Sequence, residues 1–221
     1  MEDSTEAVTF SLRDGEHLFL KEMMHRVSNE FASAVSIISV RAARSTHPEV
    51  KAALNETINL LVRFATVHRA LQLPAGDITV DASVYLRELC FAISNAKLGP
   101  SGIQLILSDM EPLLLRTDRC WTLGLIVSEL ITNAARHAFS ISKGAIRIEL
   151  LNSRSCIKCR VSDNGSAREV VRPGNGLKII QSLARGLGGA VDHQFGPNGT
   201  VSLITLPKDE PQYSKTSRTD V

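Results

Sequence analysis

His25 stands in the stretch Glu22-Met23-Met24-His25-Arg26-Val27-Ser28-Asn29-Glu30, where the spacing of residue types is informative. Met24, Val27, Phe31, Val35 and Ile38 recur at three- and four-residue steps, the apolar stripe of an amphipathic helix. His25 falls beside that stripe on its wet side. Asn29 lies one turn further on and Glu22 just under one turn back, so the three side chains can touch. An imidazole held this way is suited to act as a nucleophile or proton carrier near neutral pH. Taken alone, the segment also reads as a helix with an ordinary surface histidine.

Three further groupings carry chemistry of another kind. In Glu129-Leu130-Ile131-Thr132-Asn133-Ala134-Ala135-Arg136-His137, Glu129, Asn133 and either Arg136 or His137 share one helix face. A carboxylate, an amide oxygen and a cation on one stripe suit a magnesium ion and its phosphates, because hard cations take oxygen ligands. The alternative is a solvated polar face. Asp163-Asn164-Gly165 closes a strand: a carboxylate there can accept from an amino group such as adenine's, while Gly165 permits close backbone approach. Asp-Asn-Gly is equally an ordinary turn. Pro173-Gly174-Asn175-Gly176-Leu177 opens a helix, where exposed backbone N–H groups and the helix dipole favour an anion. Gly196-Pro197-Asn198-Gly199-Thr200 has the composition of a hairpin turn.

The elements that must position these groups follow from periodicity. Residues 1–15 are polar and are expected to be a flexible N-terminus, with the first helix running from about Glu16 to Arg44. The turn Ser45-Thr46-His47-Pro48 places Pro48 at the first position of a second helix, striped by Val50, Leu54, Ile58, Leu61, Ala65, His68 and Leu71. Residues 16–73 therefore form an antiparallel hairpin. Two helices leave their apolar seam open on both sides, so pairing of two hairpins into a four-helix bundle, a homodimer, is expected.

After Leu73-Pro74-Ala75-Gly76 the pattern changes to strands and helices. Strands are expected at Ile78–Val80, Ile103–Leu107, Ala145–Leu151, Cys156–Asp163, Ala190–Phe195 and Thr200–Leu206. Helices are expected at about Asp81–Ala96, Asp118–Phe139 and Leu177–Leu187. The fold class is α+β: the hairpin, then an α/β sandwich over residues 75–207 with a mixed sheet covered on one face by helices. Residues 208–221 are polar, carry Pro211, and are expected to be a disordered tail.

Composition narrows the function. A net charge of +2 gives no broad field for nucleic acid, and 5% aromatics leave few stacking platforms, so no nucleic-acid partner is expected. The longest apolar runs are interrupted by Ser36, Ser39 and Ser128, and no membrane insertion is expected. The acidic start Met1-Glu2-Asp3 lacks an export pattern, which points to a cytoplasmic address. Cys156 and Cys159 match C-x-x-C, yet residues three apart on a strand point to opposite faces, so a structural role is expected.

The order of these motifs resembles the bacterial two-component sensor histidine kinases over nearly the whole length. The stretch Glu22 to Asn29 looks like the phosphoacceptor motif of the subgroup whose acceptor histidine is followed by arginine, and Val67-His68-Arg69-Ala70-Leu71 continues the likeness. Residues 75–207 look like that family's ATP-binding domain, the fold shared with gyrase-type ATPases and Hsp90 chaperones. The resemblance implies His25 as the phosphorylated residue, Asn133 as the magnesium ligand and Asp163 as the partner of the adenine amino group. It places Gly174 and Gly176 at the lid and Thr200 near adenine. Glu129, Arg136, His137 and Gly165 fall within the same motifs.

Two departures stand out. The second glycine of the family's Asp-x-Gly-x-Gly is Ala167 here, and the stretch from Gly165 to Gly174 is short.

The resemblance thus implies an ATP- and magnesium-dependent protein-histidine kinase. It would phosphorylate His25, with Asn29 orienting the imidazole and Glu22 or Glu30 accepting its proton. A response regulator receiver domain would take the phosphoryl group. Fifteen residues before the first helix are too few for a sensor domain, so input would come from a separate sensor protein, or the chain is a fragment. The alternative is a dimeric histidine phosphotransfer or adaptor protein with a degenerate ATP-binding domain.

Overall fold

The computed structural model of the protein describes residues 3–72, 79–139, 143–166 and 175–208, of which residues 3–21 and Asn175 by backbone alone. Helices α1 (Asp3–Arg44) and α2 (Pro48–Ala70) form the hairpin, and Pro48 opens α2 as its fixed φ favours. Helix α1 begins at Asp3, so residues 3–15 are helical where a flexible leader was expected. The physical reason lies in the composition: nothing between Met1 and His47 is proline, and the lone Gly15 costs about 1 kcal/mol, which does not stop a helix.

The seam is made as its periodicity requires. Met24, Val27, Phe31, Val35 and Ile38 are half-buried on α1, facing Leu54, Ile58, Leu61 and Ala65 of α2. Gln72 Nε2 donates to Ser28 Oγ at 3.0 Å, and the rings of Phe31 and His68 lie 5.1 Å apart. Among the described residues of the hairpin only Ala42, Val67 and Leu71 reach full burial, while Ile37, Val40, Val50, Leu60 and Val62 stay exposed. A two-helix layer has one contact face and leaves the rest of its apolar surface wet.

The α/β part is built from strands β1 (Thr79–Asp81), β2 (Ile103–Met110), β3 (Leu114–Arg116), β4 (Gly144–Asn152), β5 (Cys156–Asp163), β6 (Ala190–Gly196) and β7 (Gly199–Pro207). Helices α3 (Ala82–Ile93), α4 (Thr117–His137) and α5 (Asn175–Gly186) alternate with them. Five strands form one sheet in the order β2-β4-β5-β7-β6, with β2 parallel to β4 and the other pairs antiparallel. The expected mixed sheet is therefore present. Strand β3, absent from the sequence reading, pairs with β1 in a two-stranded ribbon.

Register decides which face the helices cover. Ile146, Ile148 and Leu150 lie opposite Asp163, Val161 and Cys159, and this row is buried under α3, α4 and α5. The opposite row, with Arg147 against Ser162 and Glu149 against Arg160, is exposed or half-exposed, and Arg160 Nη1 lies 3.4 Å from Glu149 Oε2. Asp81 caps α3, accepting from Ser83 N at 2.8 Å and from Leu113 N at 3.3 Å. Helix α3 then widens into a π-helical turn, Ser94–Leu98, and a short 3-10 turn, Gly99–Ser101.

The hairpin and the sheet layer are joined directly. Trp121 Nε1 of α4 donates to the Leu71 carbonyl at the exit of α2, at 2.5 Å. Met24, the neighbour of His25, packs against the core cluster that Val67 and Leu71 share with the α/β part.

Candidate functional site

Strands β5 and β7 are antiparallel, so the last residue of one meets the first of the other at one end of the sheet. There Asp163 Oδ1 accepts two backbone bonds, from Gly165 N at 3.0 Å and from Thr200 N at 3.2 Å. Among the described residues Oδ2 has no partner, leaving a half-buried acceptor at the sheet edge. Two glycines make this approach possible. Gly199 has φ +125°, and a Cβ there would strike the Asp163 carbonyl oxygen. Gly165 is buried so closely against Ala138, the C-cap of α4, that a Cβ would overlap Ala138's carbonyl oxygen.

Asn164 fixes the same corner. Its Oδ1 accepts from Ala145 N at 2.7 Å and its N donates to Ala145 O at 3.2 Å, while Ser166 N reaches Ala138 O at 3.2 Å. Asp163-Asn164-Gly165 is thus a joint that ties β4, β5, β7 and α4 together, with one carboxylate oxygen left over.

Helix α4 supplies the second half of the site. Glu129 and Asn133 lie one turn apart, both half-buried. The start of α5 comes against them: a Cβ on Gly176 would sit 2.6 Å from Glu129 Oε1 and 3.4 Å from Asn133 Nδ2. Asn133 precedes Ala138 by about 7.5 Å along the helix axis, so the oxygen donors and the Asp163 corner occupy neighbouring turns of α4. Arg136 and His137 are exposed in its last turn. The structure therefore brings together Glu129, Asn133, Gly176, Asp163, Gly165 and Thr200. Gly174 and Ala167 lie outside the described residues, and so does the segment between Gly165 and Gly174 apart from Ser166.

The chemistry of the donor set is that of a hard-cation and phosphate site. A carboxylate and an amide oxygen face a backbone that only glycine allows so close, and cationic side chains stand one turn away. Among the described residues no three His, Cys, Asp or Glu side chains cluster as a metal site of their own. A metal here would need ligands beyond the described residues, such as nucleotide phosphates or water.

His25 is exposed on α1. Ser28 faces Gln72 beyond the end of α2, so His25, about 4.5 Å further along α1, projects past that end and is open to approach. Among the described residues neither Glu22 nor Asn29 hydrogen-bonds His25. Glu22 Oε1 is taken by Arg26 Nε at 3.0 Å, and His25 has no hydrogen bond among the described residues. A Glu→Arg pair at four-residue spacing is the better helix match, with complementary charge in the favoured order.

The cysteines are structural. All four are free, and Cys156 and Cys159 do fall on opposite faces of β5. Burial pushes the Cys90 and Cys120 thiols up to about 12, with Asp81 adding to the second, so both stay protonated at neutral pH.

Sequence reasoning missed one group. Lys97, in the π-helical turn, brings Nζ to 3.5 Å from Thr132 Oγ1 on α4. No periodic pattern marks it, because a π turn breaks the helical repeat that would have placed it.

Comparison with known proteins bears on the whole arrangement. Residues 22–97 match the HisKA_2 family, described as histidine kinase. The chain is 27% identical over 200 residues to blue-light-activated histidine kinase 2 of Erythrobacter litoralis, covering 85% of this chain and 56% of that protein. It is 25% identical over 200 residues to the sensor histidine kinase PdtaS of Mycolicibacterium smegmatis, covering 85% of this chain and 39% of that one. This chain is a homologue of the sensor histidine kinases. Its fold is theirs as well: the histidine kinase domain of the blue-light-activated kinase EL346 of Erythrobacter litoralis superposes with a TM-score of 0.58 at 21% identity, covering 81% of this chain and 95% of that domain. The histidine kinase match begins at Glu22 and so includes His25 and the rest of the hairpin. The chain spans 56% and 39% of the lengths of the two relatives named.

Proposed function

We propose that the protein is an ATP-dependent protein-histidine kinase that phosphorylates His25 and hands the phosphoryl group to an aspartate of a response regulator receiver domain. The observation that carries this reading is the joint placement of an exposed His25 beside Met24, which packs on the core cluster shared by the hairpin and the α/β part, and a glycine-lined corner presenting Asp163, Glu129 and Asn133.

In this reading Asp163 Oδ2 accepts from the adenine amino group, and the two bonds on Oδ1 hold the carboxylate in place. Asn133, with Glu129 on the same face, would hold magnesium, which would supply positive charge to offset the phosphates. Arg136 and His137, exposed at the end of α4, add cationic or hydrogen-bonding groups on the same side. The neutral imidazole of His25 attacks the terminal phosphorus in line. The new N–P bond forms as the bond to the bridging oxygen breaks, and ADP leaves. Because His25 is exposed and Glu22 is held by Arg26, the imidazole proton passes to water. Catalysis of this type rests on positioning and charge rather than on covalent chemistry by the protein.

Pairing of two hairpins would cover Ile37, Val40, Val50, Leu60 and Val62, which supports a homodimer. No helix among the described residues is long and apolar enough to cross a membrane. Sensory input from a separate protein and a cytoplasmic location accord with this reading.

Radiolabelled ATP with magnesium should mark the wild-type chain in an acid-labile, base-stable form. His25→Ala should abolish the label, and equal labelling of this variant would refute the assignment. A chain that accepts phosphoryl groups from a partner yet shows no magnesium-dependent ATP binding would instead be a phosphotransfer adaptor.

A further inference from the structure

Lys97 lies at the meeting of three elements. Its Nζ is 3.5 Å from Thr132 Oγ1, the outer limit of a hydrogen bond. The charges bearing on it are the Arg136 guanidinium on α4, which opposes its own charge, and the Glu129 carboxylate about two turns earlier, which favours it. His68 of α2 is near enough for Lys97 to act on its titration, and α2 packs against the π-helical turn that carries Lys97. Among the described residues no carboxylate lies within ion-pairing distance of Lys97.

This is an unbalanced arrangement. An ammonium half withdrawn from water costs free energy unless an anion or strong acceptors compensate it, and a guanidinium beside it adds to that cost. Burial, then Arg136, lowers Lys97 from its ordinary value, the direction for a cation whose anion is missing. The neighbouring imidazole does not relieve it: His68 Nδ1 is itself buried without a partner, against Phe31. A π-helical turn at the end of α3 is what carries this side chain to Thr132, and such turns often occur where function demands an off-pattern side chain.

We infer that Lys97 is a phosphate-binding residue, holding the terminal phosphate of the nucleotide on the hairpin side of α4. The inference rests on the ATP reading above and extends it. Glu129 and Asn133 share one stripe of α4, and Gly176 of α5 packs against it. Thr132 and Arg136 form the adjoining stripe, and Lys97 lies over it between α4 and the hairpin helix α2. Phosphates that start at the first stripe and continue over the second reach Lys97 last. The terminal phosphate is the group that must leave for the hairpin, and Lys97 is the cation on that side. An ammonium there contributes charge-assisted bonds that ADP cannot use.

The test is equilibrium titration of the whole chain with Mg–ATP and with Mg–ADP, for wild type, Lys97→Gln and Lys97→Arg. Lys97→Gln should weaken ATP about ten-fold while leaving ADP unchanged, and Lys97→Arg should restore most of the loss. The unchanged ADP affinity also shows that the variant is folded. Equal weakening of both nucleotides, or none for ATP, overturns the inference while leaving the kinase reading intact. Wild-type protein that binds neither nucleotide overturns both.

Discussion

Replacing Asp163 by asparagine tests the site at its most constrained point, because the structure dictates which way the new amide must turn. Two backbone donors, Gly165 N and Thr200 N, converge on Oδ1 at 3.0 and 3.2 Å. An asparagine satisfies both only with its carbonyl oxygen at the Oδ1 position, and the opposite flip would set an amino group against two N–H groups. Its Nδ2 must then occupy the place of Oδ2. The free atom changes from acceptor to donor, while the corner of β4, β5, β7 and α4 keeps its backbone bonds.

The consequence for stability is small and for recognition large. Asp163→Asn retains both bonds in neutral form and should cost about 1 kcal/mol. Asp163→Ala strands two part-buried donors, about 2 kcal/mol in all, or about 4–8 °C in Tm for a chain of this size. In the proposed reading adenine presents an amino group to this atom, so Asp163→Asn would set donor against donor. ATP affinity should fall by about 1.5–3 kcal/mol, roughly 10- to 150-fold. Hypoxanthine carries an oxo group in place of the amino group, so inosine triphosphate should gain relative to ATP. Competition of both nucleotides with magnesium, read by calorimetry on wild type and variant, decides the matter. An Asp163→Asn protein that keeps the wild-type preference for ATP over inosine triphosphate refutes the placement of adenine against Asp163.

Other perturbations follow from the same geometry. Gly165→Ala should cost about 1–3 kcal/mol and weaken nucleotide binding together with stability, because the added methyl overlaps backbone and Cβ atoms of Ala138; an unchanged urea midpoint would contradict the packing. Burial lowers the imidazoles of His68 and His193 below their ordinary 6.5, with Lys97 adding to the first and Asp192 opposing in the second. Their folded values lie below the unfolded one, so the unfolded chain binds the protons first: stability is fully present above about pH 6.5 and is lost as pH falls through that window. Urea midpoints at pH 7.5 and 5.5 should show this loss in wild type and a smaller one in a His68→Gln, His193→Gln double variant; equal losses would remove the two histidines from the account.

Much of this architecture is readable from the chain because its signals are local and repeated. The stripe from Met24 to Ile38 and the alternation from Ile146 to Leu150 each state a period and an inward face over several residues, and the structure half-buries the first and fully buries the second. Strand β3 eludes such reading because Leu114–Arg116 is three residues long, too short for any period, and exists through its pairing with β1. The extension of α1 to Asp3 eludes it for the opposite reason: polar composition suggests a loose leader, whereas helix formation needs only the absence of a breaker.

The candidate site divides along the same line. Asp163 and Gly165 are marked in the sequence by a strand end and its turn, whereas Thr200 is put near them only by the family resemblance, because the antiparallel neighbouring of β5 and β7 that joins them is a long-range pairing. The partner of Glu22 could not be chosen that way, since His25 and Arg26 both lie within reach along one helix and only charge and spacing favour Arg26. Lys97 lies furthest from sequence inference. Its position depends on a widened turn after α3, on the stripe of α4 bearing Thr132, and on the angle at which α2 crosses behind them. A cation stranded by three elements at once is visible only after the chain is folded, and its lack of an anion makes it the most exacting test of where the phosphates lie.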